Sequence, residues 1–258
     1  MGIFSFLKSK KETSSNLLGM IILEEPNSMD IKKVITELRN KWQLEVNDSG
    51  TNSDAVILEI NEYKIAIANM PMPIPGDEIE KTAEFNYFWK NGKEEASKHK
   101  GHIILSIMNA GKNPIQENLL HNKVAASILN NSKSLGIYLG DRTLLIKKDF
   151  YLANTTDMTL EHLPIYNLIY FGIRNEGNEY SMYTYGMKDF NKLEIEILNS
   201  KHSFTEINGF LYDIVHYILA NNITLKDGET IGSSAEQKIK VSVSNGKYIE
   251  GKTLKIEY

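Results

Sequence analysis

The run Tyr183-Thr184-Tyr185-Gly186-Met187, with Phe190 and then Leu193-Glu194-Ile195-Glu196-Ile197 behind it, sets the reading of this chain. A glycine turn separates two strand-like runs, and in the second run carboxylates alternate with aliphatic side chains. Successive side chains of a strand point to opposite faces. Glu194 and Glu196 therefore share one face, and Leu193, Ile195 and Ile197 the other. Apolar-in and polar-out is the pattern of an antiparallel sheet with one solvated side. The expectation is a wet acidic row at Glu194 and Glu196. Three chemistries are open to such a row: a plain solvated face, an acidic strip that recognises a basic partner, or a carboxylate pair dividing acid and base roles or holding a divalent cation.

Working outward, the second half reads as strands at Ile165 to Ile173, Glu179 to Thr184 and Leu193 to Leu198, with a turn at Asn175-Glu176-Gly177-Asn178. Ser203-Phe204-Thr205-Glu206 is a capping box. It opens a helix with Phe204, Ile207, Leu211, Ile214, Val215 and Ile218 on its apolar side. Asn245-Gly246 between strand-like runs is a hairpin signal, and Leu254 to Tyr258 closes as a strand.

The first half begins with an apolar run, Leu17 to Leu23, stopped at Glu24-Glu25-Pro26. Ser28 is the expected cap of a helix carrying Ile31, Val34, Ile35, Leu38 and Trp42. Gln43 to Asn47 reads as a short strand, and Ala55 to Ile60 pairs with Lys64 to Ala68 across Asn61-Glu62. Met70 to Gly76 has prolines at alternate positions and must be extended. Helices are expected at Asp77 to Trp89 and Lys93 to His99, then a buried strand from His102 to Met108. Asn113-Pro114-Ile115-Gln116 opens another helix, with Asn113 as cap, Pro114 in the first turn and Gln116 reaching back to the cap amide. Gly136 to Leu139 returns to strand.

This order predicts an α+β fold in two layers. The first half starts like a ferredoxin-like split βαβ unit, and the second is mostly antiparallel sheet with one long helix. The expected division is a tail at 1–15, one α+β domain at 16–145 and a second at 146–258, meeting between Arg142 and Leu163.

Bulk properties narrow the function classes. Hydrophobic content of 41% and charged content of 24% are those of a globular chain. A net charge of −4 argues against a bulk electrostatic grip on nucleic acid. The absence of cysteine removes disulfides, a thiol nucleophile and the usual structural zinc sites, and fits a reducing cytoplasm. Ile3-Phe4-Ser5-Phe6-Leu7 precedes Lys8, Lys10 and Lys11, which is the reverse of a signal peptide. Membrane contact through residues 3–11 is weighed against a plain tail. The tail is preferred, because stable anchoring normally takes two signals.

Together, Thr184-x-Gly186-Met187-x-x-Phe190-x-x-x-Glu194-x-Glu196, the helix from Phe204 to Leu219 and Asp227-Gly228-Glu229-Thr230-Ile231-Gly232 resemble the bacterial domain-of-unknown-function family 4261. Upstream, Trp89, His99, His102-Ile103-Ile104 and Tyr138 look similar to the region preceding this domain in longer members. That resemblance implies a bacterial protein and supplies no catalytic residues. The Thr-x-Gly-Met turn before a Glu-x-Glu strand also resembles Suppressor-of-fused-like domains. Some bacterial relatives of those are thought to be immunity proteins that neutralise toxins, so this second likeness implies a protein partner.

Three further clusters are weighed against plain structural roles. Asn109-Ala110-Gly111-Lys112-Asn113 lies before a helix N-terminus, where free amides and Lys112 would hold a phosphate; the alternative is a capped helix after a glycine turn. His99 and His102 lack neighbouring ligands at metal spacing. Asp213 and His216 stand one helical turn apart, as an acid–base pair or a surface pair. No catalytic residue, metal ligand or cofactor is assigned. The expected function is non-catalytic protein binding, with Glu194, Glu196 and Lys112 as binding candidates. The alternative is a hydrolase or nucleotide-handling enzyme using Gly111-Lys112 or Asp213/His216.

Overall fold

β1 (Ser15–Leu23) is the strand around which the first half is built. The structure, a computed structural model, describes residues 15–51, 55–232 and 237–258. The segment 3–11 weighed above lies outside them. After β1 come α1 (Ile31–Asn40), β2 (Val46–Thr51), β3 (Ala55–Ile60), β4 (Tyr63–Met70), α2 (Glu78–Ala83) and α3 (Gly92–Ala96). Then follow β5 (Gly101–Ala110), α4 (Pro114–Asn130), β6 (Ser134–Leu139), β7 (Leu144–Lys147) and α5 (Lys148–Asn154). These strands form one antiparallel sheet ordered β2-β3-β4-β5-β1-β6-β7.

Toward its middle, β5 and β6 flank β1 and are joined through α4, a split βαβ arrangement, while β2, reached from β1 through α1, lies at the far edge. Alternation along β1 divides the packing. Ile21 and Leu23 face a core with Val34, Ile35 and Leu38 of α1 and Val124, Ile128 and Leu129 of α4. Ile22 faces the other way, toward Ile79 and Ala83 of α2, Ala96 of α3 and Trp89.

The second half holds α6 (Ile165–Leu168), β8 (Tyr170–Glu176), β9 (Glu179–Tyr185), β10 (Ile195–Ser200), α7 (Phe204–Ala220), β11 (Thr230–Ile231), β12 (Ile239–Asn245) and β13 (Lys252–Ile256). Its sheet runs β11-β12-β13-β10-β9-β8. Only the β10–β13 pair is parallel among the described pairings, because α7 and the β11–β12 excursion lie between them. Ile207, Leu211, Val215 and Ile218 of α7 cover the sheet, and the capping box of Ser203 and Glu206 is formed as expected. The molecule is thus α+β.

Several local expectations are corrected. Asp30, not Ser28, caps α1; Ser28 Oγ instead accepts from the Lys133 amide at 3.1 Å. The helix expected to reach Trp89 ends at Ala83. There the Asn86 carboxamide takes the Phe88 amide and donates to the Leu145 carbonyl, turning the chain. The strand expected from Ile165 begins as α6, because the buried Asn167 amide donates to Asn122 and to the Tyr151 carbonyl. The strand read at Gln43 starts at Val46. The hairpin at Asn245-Gly246 is wider than a two-residue turn, since β13 returns only at Lys252. Among the described residues no helix is long and apolar enough to cross a membrane.

Candidate functional site

Neither carboxylate is wet: Glu194 stands just before β10 and reaches Thr184, whereas Glu196, within β10, lies opposite Tyr183. Glu194 is 6% exposed and Glu196 0%. The solvated acidic row is corrected, and the reason is hydrogen bonding from the same chain. Glu194 accepts from Thr184 Oγ1 at 2.7 Å, the Gly186 amide at 2.9 Å and the Lys188 amide at 3.4 Å. Gly186 has φ of +120°, a conformation that favours glycine and turns its N–H toward the carboxylate. Thr184 Oγ1 in turn accepts from the Ile195 amide at 2.8 Å.

Glu196 holds the segment between β12 and β13. It accepts from the Lys247 amide at 3.1 Å, the Tyr248 amide at 2.7 Å, Thr253 Oγ1 at 2.9 Å and Lys255 Nζ. Burial by itself would raise the Glu196 pKa. The Lys255 ammonium, the two amides and the Thr253 hydroxyl outweigh it and hold the carboxyl below its usual range. The same amides explain the wide hairpin: Lys247 and Tyr248 turn inward to the carboxylate instead of pairing across strands.

The phosphate reading of Gly111-Lys112 meets a similar occupant. Glu117, buried in the first turn of α4, accepts from the Gly111 amide at 2.8 Å, the Lys112 amide at 2.8 Å and the Asn113 amide at 3.0 Å. The positive φ of Gly111 shapes this cradle. Asn113 caps α4 as expected, through the Gln116 amide, but Glu117 and not Gln116 reaches back to the cap amide. A carboxylate of the chain sits where an external anion was expected, which is the placement favoured at a helix N-terminus. Lys112 points away, 3.1 Å from Glu62 at the surface. Glu117→Ala is expected to lower stability by about 2 kcal/mol, because three amides lose their acceptor. Added inorganic phosphate is expected to raise the melting temperature of that variant and not of the wild type; thermal melts with and without phosphate check it.

The histidines have separate duties. His99 Nε2 accepts from the Ile74 amide and its Nδ1 donates to the Ala96 carbonyl, each at 2.8 Å. His102 Nδ1 donates to the Met72 carbonyl, and burial lowers its pKa. Both clamp the proline-spaced connector. Asp213 and His216 line a surface hollow of about 420 Å³ with Asp157 and His162. No ion pair joins Asp213 to His216, and His216 Nε2 accepts from the Leu163 amide at 3.4 Å. Among the described residues, no three His, Asp or Glu side chains are grouped closely enough to hold a metal ion.

Two features escaped the sequence. The first is an aromatic cluster where the two halves meet. Phe88 stacks on Phe150 at 4.9 Å and meets Tyr166 edge-on at 4.9 Å; Tyr166 continues to Tyr212 at 5.0 Å, and Tyr87 to Phe204 at 5.6 Å. Asn208 joins the rings by accepting from the Tyr166 hydroxyl at 2.6 Å. Burial raises the Tyr87 and Tyr166 pKa values, keeping both phenols neutral. Phe88 remains 43% exposed, and Phe85, three residues earlier, is 50% exposed.

The second is Arg142, which is 4% exposed and crosses the same junction. Its Nε donates to Asp189 at 2.8 Å, and its Nη1 to Asn118 at 2.7 Å and the Leu168 carbonyl at 3.2 Å. Asn118 and Asn122 form a buried polar row on α4, with Asn167 bridging to Asn122 from the second half.

The fold and these internally bound carboxylates define an α+β protein whose second sheet is tied together by its own acidic groups. Residues 183–257 match the family model described as Domain of unknown function (DUF4261). The likeness expected from the sequence therefore holds over those residues, while Trp89, His99, His102 and Tyr138 lie upstream of them. Glu194, Glu196 and all the donors named for them fall within the matched stretch. No curated protein and no solved structure matches the chain.

Proposed function

We propose that this is a cytoplasmic bacterial protein that acts by binding another protein, without catalysis, through the face around Phe85 and Phe88. The observation that carries the reading is the exposure of Phe88 over the packed Phe150 and Tyr166 rings, with Phe85 exposed three residues before it. Exposed aromatic anchors over a rigid base, with polar groups around them, are what the energetic centre of a protein interface needs. The polar surroundings carry both signs, as in the Glu84–Lys93 ion pair at 2.5 Å. The partner that fits is a protein surface offering bulky aliphatic side chains inside a mixed-charge rim. A small-molecule reading of this face is disfavoured by size. The cavity beside Phe88 is about 30 Å³, whereas ligand pockets are roughly 300–1,000 Å³.

The face differs from the one expected at Glu194 and Glu196, whose oxygens are engaged within the chain. Phe85→Glu and Phe88→Glu are each expected to weaken partner capture about tenfold or more; Phe85→Glu leaves the melting temperature nearly unchanged, while Phe88→Glu lowers it because Phe88 packs on Phe150 and Tyr166. The check is affinity capture from bacterial lysate with immobilised wild type and both variants, followed by titration of the recovered protein. Recovery of the same protein with equal affinity by all three, or of none by the wild type, overturns the reading.

A further inference from the structure

The first sheet has one face that its own helices cover only in part. Val56, Leu58, Ile65, Ile67, Leu105 and Ile107 point into the core beneath α1 and α4. Side chains alternate along a strand, so Ile57 of β3, Ala66 of β4, Met108 of β5 and Leu18 of β1 point the other way. On that second face, α2, α3 and Trp89 pack over Ile22 of β1, Tyr138 of β6 and Leu145 of β7. Beyond them the face is open: Ile57 is 38% exposed, Leu18 39% and Met108 47%. The solvated side of an antiparallel sheet is ordinarily polar. Neighbouring exposed apolar side chains in its place mark an association surface.

Two rungs of this face decide what fits it. In one, Ile57 lies opposite Ala66; in the next, Glu59 lies opposite Lys64. A large side chain thus stands beside a small one, and an acid beside a base, on the same two strands. Glu59 and Lys64 are both exposed, and neither forms an ion pair among the described residues. A two-fold axis parallel to the strands and between β3 and β4 exchanges these positions when two copies meet face to face. Ile57 then lies over Ala66 of the second copy, and Glu59 over Lys64 of the second copy, each contact being made twice. The face complements itself in shape and in charge. We propose that two copies of this chain associate through it, sheet on sheet. The reading goes beyond the partner-binding face at Phe85 and Phe88 and does not rest on it. The patch is small, so the contact lies below roughly 1,200 Å² in total, and the dimer is transient.

Sedimentation velocity of the full chain, from about 5 µM to 500 µM, is the test, and a dimer with Kd on the order of 100 µM is expected. Ile57→Glu sets a carboxylate against Ala66 of the second copy and is expected to leave a monomer throughout. Glu59→Lys sets two ammonium groups against each other and is expected to weaken association about tenfold. Adding Lys64→Glu to Glu59→Lys exchanges the charges and is expected to restore it. The substituted side chains are exposed, so the variants fold; melting temperatures at the lowest concentration verify that. A wild type that stays monomeric at the highest concentration leaves the face to a different protein or to a membrane surface and overturns the proposal. A dimer that survives Ile57→Glu overturns it as well, because association then uses another surface. So does equal association of the wild type and Glu59→Lys.

Discussion

Glu196→Ala is expected to lose about 3–5 kcal/mol of folding stability, the cost of removing one member of a buried ion pair and leaving the other uncompensated. Lys255 is the group left behind, together with two amides and the Thr253 hydroxyl. Glu196→Gln keeps the shape but turns an N–H₂ toward donors, so at least one buried donor goes unmatched and about 2 kcal/mol is still lost. The effect depends on pH in a defined direction. The folded carboxyl lies below its usual range, so its contribution is complete above the unfolded carboxylate pKa and fades as pH falls through the folded one. Urea unfolding at neutral pH, with Lys255→Met and the double variant completing a cycle, measures both the loss and the coupling. A solvated strand carboxylate would give a change within about 0.5 kcal/mol. A loss below about 1 kcal/mol therefore defeats the account given for the wide hairpin.

The contrast between the expected and observed roles of Glu196 marks the limit of local pattern. Period-two alternation predicts a wet row at Glu194 and Glu196, but Glu194 lies just before β10 and both carboxylates are buried. Glu196 is dry because of donors 51 to 59 residues away in sequence, and Glu194 because the turn 6 to 10 residues before it folds back on its carboxylate; periodicity carries neither. The β3–β4 hairpin, the Asn113 cap and the Ser203 capping box were legible because each is encoded within a few residues. The self-filled cradle at Gly111 was legible too, had the first acidic residue of the following helix been considered: Glu117 lies only four positions beyond the cap. The polar row Asn118 and Asn122 reads as a helix's wet side and is buried because the second half packs on it. Phe85 and Phe88 were absorbed into an expected helix. Their exposure follows from the Asn86 turn, which a side-chain contact with β7 creates.

His121 should give the protein a second, separate sensitivity to acid. It lies inside α4, buried, against Gly19, where a Cβ would sit 2.8 Å from the ring. Its Nε2 has no hydrogen-bond partner among the described residues. Burial first, and the Arg142 guanidinium second, pull its pKa down to about 3. An unfolded histidine titrates near 6.5, so between those values the unfolded chain binds a proton that the folded chain refuses. Stability is therefore complete above about pH 6.5 and declines as pH falls, by up to about 1.4 kcal/mol per unit. The expected loss from this residue between pH 7 and pH 5 is about 2 kcal/mol. The Tyr151 phenol, also buried and influenced by Arg142, has its pKa raised by burial and stays neutral throughout. His102 bends the curve in the same direction, since burial lowers its pKa as well. His121→Leu separates the two: it removes the titration and the unpartnered nitrogen together, so it is expected to be nearly neutral at pH 7 and more stable than the wild type at pH 5. Urea titrations at both pH values give the difference in slope directly, and parallel pH profiles for the two proteins would mean that His121 takes up its proton in the folded state.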